Sequence, residues 1–192
     1  MTGTKPHIDL EEREQILLAG EGDLGAFEVL YNRYRDRVYN LVRYSIDDAV
    51  AAEDVLQSIF LKIYRSLRYF RFESALSTWI YRITVNECLN HVQRGRVNVV
   101  PLEAILGSGD EIDLAPAADS RHLANERDEV IRQAVMELSP KLRTVVALKY
   151  VEGLSYEEIA SILDCAPGTV ASRLNRALVR LEARLRPLRR LL

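Results

Sequence analysis

The sequence predicts an all-α protein of two small helical domains joined by a flexible acidic linker. Three observations predict it. Between Ala26 and Arg94 there is neither Gly nor Pro, and the apolar residues recur at spacings of three and four. Between Val97 and about Asn125 that period stops, and Pro101, Gly107, Gly109 and Pro116 break the chain. Beyond Glu126 the helical spacing resumes and ends in two short helices separated by a tight turn. The implied layout is a first helical domain over 9–96, a linker over 97–125 and a second helical domain over 126–192.

Residues 1–8 read as a tail. From Asp9 to Ala19 acids precede Ile16, Leu17 and Leu18, as in a short helix. Asp23 is the expected N-cap of the next helix, whose buried stripe is Phe27, Leu30, Tyr31, Tyr34, Val38, Leu41 and Val42. Ile46-Asp47-Asp48 marks a turn. A second stripe holds Val55, Ile59, Phe60, Ile63, Tyr64 and Leu67, and a third holds Leu76, Ile80, Ile83 and Leu89. The linker carries five acids (Glu103, Asp110, Glu111, Asp113 and Asp119) against one arginine. Past it, Val130, Ile131, Ala134, Val135 and Leu138 form a helical face. Ser139-Pro140 caps a further helix with Leu142, Val145, Val146 and Leu148 inside, which ends at Gly153.

The stretch from Leu154 to Leu178 organises the second domain. Ser155 followed by Glu158 has capping-box spacing, and Ile159, Ala160, Ile162 and Leu163 face a core. Asp164 tolerates the left-handed backbone that a tight turn needs. Pro167 fits the first turn of the next helix, which buries Val170, Leu174, Ala177 and Leu178. Thr169, Ser172, Arg173 and Arg176 are left outside. From Asp164 to the end there are seven arginines and two acids, although the whole chain is formally −2. A basic second helix after a tight turn points to a helix-turn-helix reader of duplex DNA, in preference to a plain helical hairpin.

The first domain carries a second cationic zone. From Lys62 to Arg96 there are seven basic residues and two acids, and Tyr69, Phe70, Phe72, Trp79 and Tyr81 are interleaved with them. Stacking rings among cations suit single-stranded DNA. Thr78, Arg82, Asn86, Asn90 and Arg94 recur every four residues, a row that drifts around the helix. Trp79 reads equally as core and as platform, while Tyr69 and Phe72 are expected to be exposed. Asp54, Gln57, Ser58 and Lys62 read by themselves as a solvated helix face.

Other classes find little support. With 48% apolar and 28% charged residues the chain can bury a core and stay soluble. No run approaches membrane-span length and no secretory leader is visible, so the expected compartment is the cytoplasm, without membrane insertion. Cys88 and Cys165 are expected to be small helical core residues, not a disulfide. His7, His91 and His122 are scattered, no P-loop is present, and no metal or other cofactor is expected. Two alternatives remain. One is an ordinary helix-turn-helix repressor or activator. The other is a helical nuclease using Asp47, Asp48, Glu53 and Asp54 as metal ligands.

With these residues in view, the chain resembles the short, two-domain extracytoplasmic-function sigma factors of bacterial RNA polymerase. The matching pieces are Gly22-Asp23, Ala26-Phe27, Leu30-Tyr31, Arg33-Tyr34, Ala52-Glu53-Asp54, Gln57, Phe60, Phe70-Arg71, Glu73-Ser74-Ala75, Ser77 through Ile83, and Asn86. In the second half they are Leu154 through Ala160, Gly168-Thr169-Val170 and Ser172-Arg173-Leu174. A Gly is common in that family where Phe72 stands, and an acid where Ser58 stands.

The resemblance implies a sigma-2-like bundle and a sigma-4-like helix-turn-helix domain in a protein that is not an enzyme. It implies that Asp54, Gln57 and Phe60 dock on the β′ clamp of core RNA polymerase, with β also a partner. Tyr69, Phe70, Arg71, Phe72, Ser74, Thr78, Trp79, Arg82, Asn86, Asn90 and Arg94 would bind and melt the −10 element. Pro167, Gly168, Thr169, Ser172, Arg173 and Arg176 would read the −35 element as duplex. The linker would run toward the RNA path, and an anti-sigma factor would hold the protein in check.

Overall fold

The structure, a computed structural model, describes residues 9–97 and 122–188. The tail, most of the linker and the last four residues lie outside the described residues. Eight α-helices, and no strand, make up the described fold: α1 Leu10–Gly20, α2 Leu24–Arg43, α3 Ala49–Ser66, α4 Leu76–Val97, α5 His122–Met136, α6 Pro140–Val146, α7 Tyr156–Leu163 and α8 Pro167–Leu185.

Local chemistry starts these helices. The Asp23 carboxylate accepts the Ala26 N–H at 2.9 Å, and Asp48 accepts from Val50 and Ala51 at the head of α3. Ser155 and Glu158 form the reciprocal capping box of α7. Ser139, by contrast, makes no side-chain cap hydrogen bond; α6 starts on the fixed φ of Pro140.

The first unit packs α1 to α4 around Leu30, Val38, Val42, Ile59, Ile63, Leu76 and Ile80. Each such side chain contributes about 1.5–3 kcal/mol when fully buried. Helix α1 lies close against a 3₁₀ turn, Leu67–Tyr69. A Cβ on Gly20 would stand 3.3 Å from the Arg68 Cα, so glycine lets the two backbones approach.

The second unit packs α5 to α8 around Leu138, Leu142, Val145, Leu148, Ile159, Ile162, Val170 and Leu174. Between α6 and α7 the chain makes a π-helical turn, Ala147–Val151, in which the Glu152 N–H reaches the Ala147 carbonyl at 3.2 Å. Leu178 is 42% exposed, and Leu181 packs on the core beyond it. Cys88 is buried in α4, whereas Cys165 stands half-buried in the turn after α7 and not on a helix. Burial chiefly, with the nearby Glu87 charge, pushes the Cys88 thiol up to about 12.

The two units are docked. Leu41, Tyr81 and Val85 of the first unit belong to the apolar core of the second. Arg143 donates to the Ser45 carbonyl at 2.8 Å, Arg82 to the Ser161 carbonyl at 2.7 Å, and Arg132 pairs with Asp47 at 2.9 Å. The Tyr81 hydroxyl donates to the Glu152 carboxylate. Burial raises both partners, Tyr81 above the ordinary phenol range and Glu152 above the ordinary carboxylate range. Composition predicts two units on a tether; it gives no hint of this shared interface.

Candidate nucleic-acid interface

The first zone is built on the loop between the Leu67–Tyr69 turn and α4. Tyr69 is 66% exposed, with the Arg68 guanidinium carbon 4.6 Å from its ring centroid. Phe70 is half-buried and stands edge-on to Phe72 at 5.0 Å and tilted to Trp79 at 5.4 Å. Tyr69, Phe70 and Trp79, with Arg71, Glu73, Ser74 and Arg82, line a cavity of about 340 Å³. Ser161 of α7, from the second unit, also lines it. Ser161 has no sequence signature as a site residue; only the docking brings it there.

Phe72 departs from expectation. It is not an exposed ring beside a turn but is half-buried against the first core. Its backbone is left-handed, with φ +57. Trp79 divides as its spacing suggests: one part packs on the first core and another lines the cavity.

Along α4, Arg82, Asn86, Asn90 and Arg94 are exposed and Thr78 is half-buried. The drift of this row is real: Arg82 turns toward α7, where its guanidinium holds the Ser161 carbonyl. In this arrangement Arg82 is engaged inside the protein.

The second zone is the α7–α8 pair. Asp164 ends α7 in the left-handed region, φ 48 and ψ 56. Pro167 opens α8, and a Cβ on the exposed Gly168 would meet nothing within 4 Å, so the first turn of α8 is open to a ligand. Val170, Leu174 and Ala177 anchor the helix. Ser172 and Arg176 are exposed, and Thr169 and Arg173 are half-buried. The Ser172 hydroxyl donates to the Thr169 carbonyl at 3.0 Å, and Arg176 Nε to the Ser172 carbonyl at 3.2 Å. Arg173 lies 4.0 Å from the Cys165 sulfur.

A third surface lies on α2 and α3. Asp54 and Gln57 are exposed as expected, but Phe60 is 6% exposed and stacks edge-on with Tyr31 at 4.5 Å. It forms the floor of an apolar groove of about 340 Å³, whose rim includes Leu24, Phe27, Leu61 and Gln57. Leu24 and Leu61 are large exposed apolar residues whose signal is hidden in sequence, since a stripe does not show which of its edges is uncovered.

Two of the four acids that suggest metal binding are otherwise employed, and Glu53 and Asp54 are exposed on α3. Asp47 pairs with Arg132 and Asp48 caps α3. Among the described residues no cluster of His, Cys, Asp and Glu could hold a metal ion, and no helix is long and apolar enough to cross a membrane.

Comparison with known proteins follows this geometry closely. Residues 30–97 match Sigma-70 region 2, and residues 128–181 match Sigma-70 region 4. The chain is 37% identical over 188 residues to the RNA polymerase sigma-H factor of Pseudomonas aeruginosa, covering 94% of this chain and 97% of that one. It is 37% identical over 177 residues to the ECF RNA polymerase sigma-E factor of Haemophilus influenzae, covering 88% and 92%. The fold is similar to the sigma factor RpoE solved in complex with the anti-sigma factor NepR from Bartonella quintana. There the TM-score is 0.66 at 24% identity, with 83% of this chain and 96% of that one covered.

Proposed function

This chain belongs to the extracytoplasmic-function sigma factors of RNA polymerase, and on that premise we propose how its named side chains divide promoter recognition. The protein directs core polymerase to promoters and is an initiation factor, not an enzyme. The observation that carries the division of labour is the cavity of Phe70, Trp79 and Arg82: a stacking pocket beside cations, built on the first unit except for Ser161 and lined by no residue of the duplex-reading helix.

The −10 element is opened by binding energy. Extruding a base costs a few kcal/mol. Stacking on an aromatic ring returns about 1–3 kcal/mol per base. Phe70 and Trp79 supply rings, Tyr69 an outer platform, and Ser74 and Arg71 polar contacts at the cavity rim. Phe72 shapes the loop. Asn86, Asn90 and Arg94 extend the track along α4 with amides for base edges and a cation for phosphate, and Thr78 stands at its start. Arg82 joins the track once it is released from Ser161.

On α8, Arg173 and Arg176 supply cations and Thr169 and Ser172 hydroxyls, while Pro167 and Gly168 leave the helix start open to a phosphate. The −35 element is thus read as intact duplex. Gln57, on the lip of the groove floored by Phe60, and Asp54, exposed about one turn before it on α3, dock on the β′ clamp. The protein works in the cytoplasm, where the polymerase and DNA are, and an anti-sigma factor restrains it by covering polymerase-binding surfaces.

Run-off transcription with core polymerase on a genomic promoter library tests the whole reading. Defined start sites are expected when the chain is added. Starts no more selective than those of core polymerase alone would overturn it.

A further inference from the structure

Arg13, on α1, takes no part in the assignments above. Its guanidinium carbon lies 4.5 Å from the centroid of the Phe72 ring. Phe72 needs support: its φ of +57 is a conformation that a side chain with a Cβ disfavours, and no turn chemistry of its own favours it. Two ring contacts hold it there, Phe70 edge-on at 5.0 Å and the Arg13 cation at 4.5 Å.

The rest of α1 is arranged to keep Arg13 in place. Glu12, its neighbour, is taken by the Tyr34 hydroxyl at 2.7 Å and by Arg33 at 3.2 Å, which pins α1 to α2. At its other end Gly20 lets α1 lie against the backbone of Arg68, just before the loop. From there Arg13 is about two turns back along the helix, level with Phe72.

We propose that Arg13 is a positioning residue for base capture: its guanidinium clamps the Phe72 ring and so holds the Phe70–Ser74 loop in the shape that admits a flipped base. This rests on the reading that the Phe70 cavity receives that base. Arg13 touches neither base nor phosphate. It acts through Phe72, and its effect therefore disappears when the ring it holds is removed. Phe72→Gly is the suitable partner, because glycine occupies the left-handed region without strain.

The test uses the full chain assembled with core RNA polymerase. The probe is a fluorescent single strand selected by the wild-type holoenzyme from a randomised pool, together with the same strand made abasic at the captured position. Arg13→Ala is expected to weaken the intact strand about two- to fivefold, the range of a solvent-exposed cation–π contact. It leaves the abasic strand unchanged. Arg13→Lys, which keeps a cation, restores part of the loss. In a Phe72→Gly background, Arg13→Ala has no further effect. Equal weakening of the intact and abasic strands would make Arg13 a phosphate contact and overturn the proposal, as would a loss that persists without the Phe72 ring. Phe70→Ala separates the two levels of failure. If it too leaves the intact strand unaffected, the capture cavity is misassigned; if it weakens that strand and Arg13→Ala does not, Arg13 alone is misassigned.

Discussion

Docking of the two units can be undone at one side chain. Val85 lies on α4, is 4% exposed, and is buried by the second unit's core. Val85→Asp places a carboxylate in that apolar contact. When the units part, the same carboxylate stands in water. An unpaired buried ion costs several kcal/mol. Taking about 3 kcal/mol, and a factor of ten per 1.4 kcal/mol, the docked form loses more than about a hundredfold in population relative to the parted form. Val85→Ala removes about two methyl groups' worth of burial, about 1.6 kcal/mol, and shifts the balance by about fifteenfold. The assay is intrinsic. Trp79 is the one tryptophan of the chain. It lines the cavity that Ser161 shares, so parting the units admits water to it. Iodide quenching and the red shift of emission should rise in the order wild type, Val85→Ala, Val85→Asp, with helix content by circular dichroism unchanged. Identical quenching in all three proteins would refute the reasoning.

Arg173→Ala and Arg176→Ala should each weaken −35 duplex binding by the holoenzyme and flatten its salt dependence by about 0.9 for each phosphate that is no longer neutralised. Phe70→Ala should spare the duplex step and slow opening, seen by permanganate reactivity at the −10 element. Gln57→Ala combined with Asp54→Arg should reduce the affinity for core polymerase about tenfold or more in fluorescence anisotropy, the loss typical of interface hot spots, with the melting temperature unchanged. The Tyr81 phenol is raised by burial, then by its hydrogen bond to Glu152. A phenol whose folded value exceeds the ordinary 10.0 keeps its proton in the fold after the unfolded chain has lost it, so its contribution is full below that pH and falls as pH climbs beyond it. Alkaline melting curves should show this fall, and Tyr81→Phe should lessen it while leaving the share of Tyr34, which is shifted in the same direction.

The elements most legible in the sequence are those decided by local chemistry. Asp23, Asp48, Ser155-Glu158, Asp164 and Pro167 act within three or four residues of themselves, and helix spacing reports the cores that each unit builds alone. What the spacing misses is what one unit does to the other. Tyr81 and Val85 fall outside the α4 stripe of Leu76, Ile80, Ile83 and Leu89, and with Leu89 they pack on the second unit's core, a division of one helix between two cores that its period cannot encode. The same limit hides Ser161 at the cavity. Phe72 is misjudged for a different reason: turn-flanking position suggests exposure, while the distant Arg13 and the first core supply its partners. Phe60 is the floor of the α2–α3 groove and Gln57 part of its exposed rim, a difference that the helix period does not show.

The widened coil at Ala147–Val151 holds one more residue per turn than its neighbours. An ordinary helix advances about 100° with each residue. Deleting a single residue there would let the coil tighten to the common pitch over the same full turn, so everything downstream would keep nearly its present rotation about the axis. Glu152 would still face Tyr81, and the arginines of α8 would keep their side of the molecule, whereas the same deletion inside an ordinary helix would turn them by about 100°. The α7–α8 pair is therefore buffered against a one-residue loss at this coil, and only there along the path from α6.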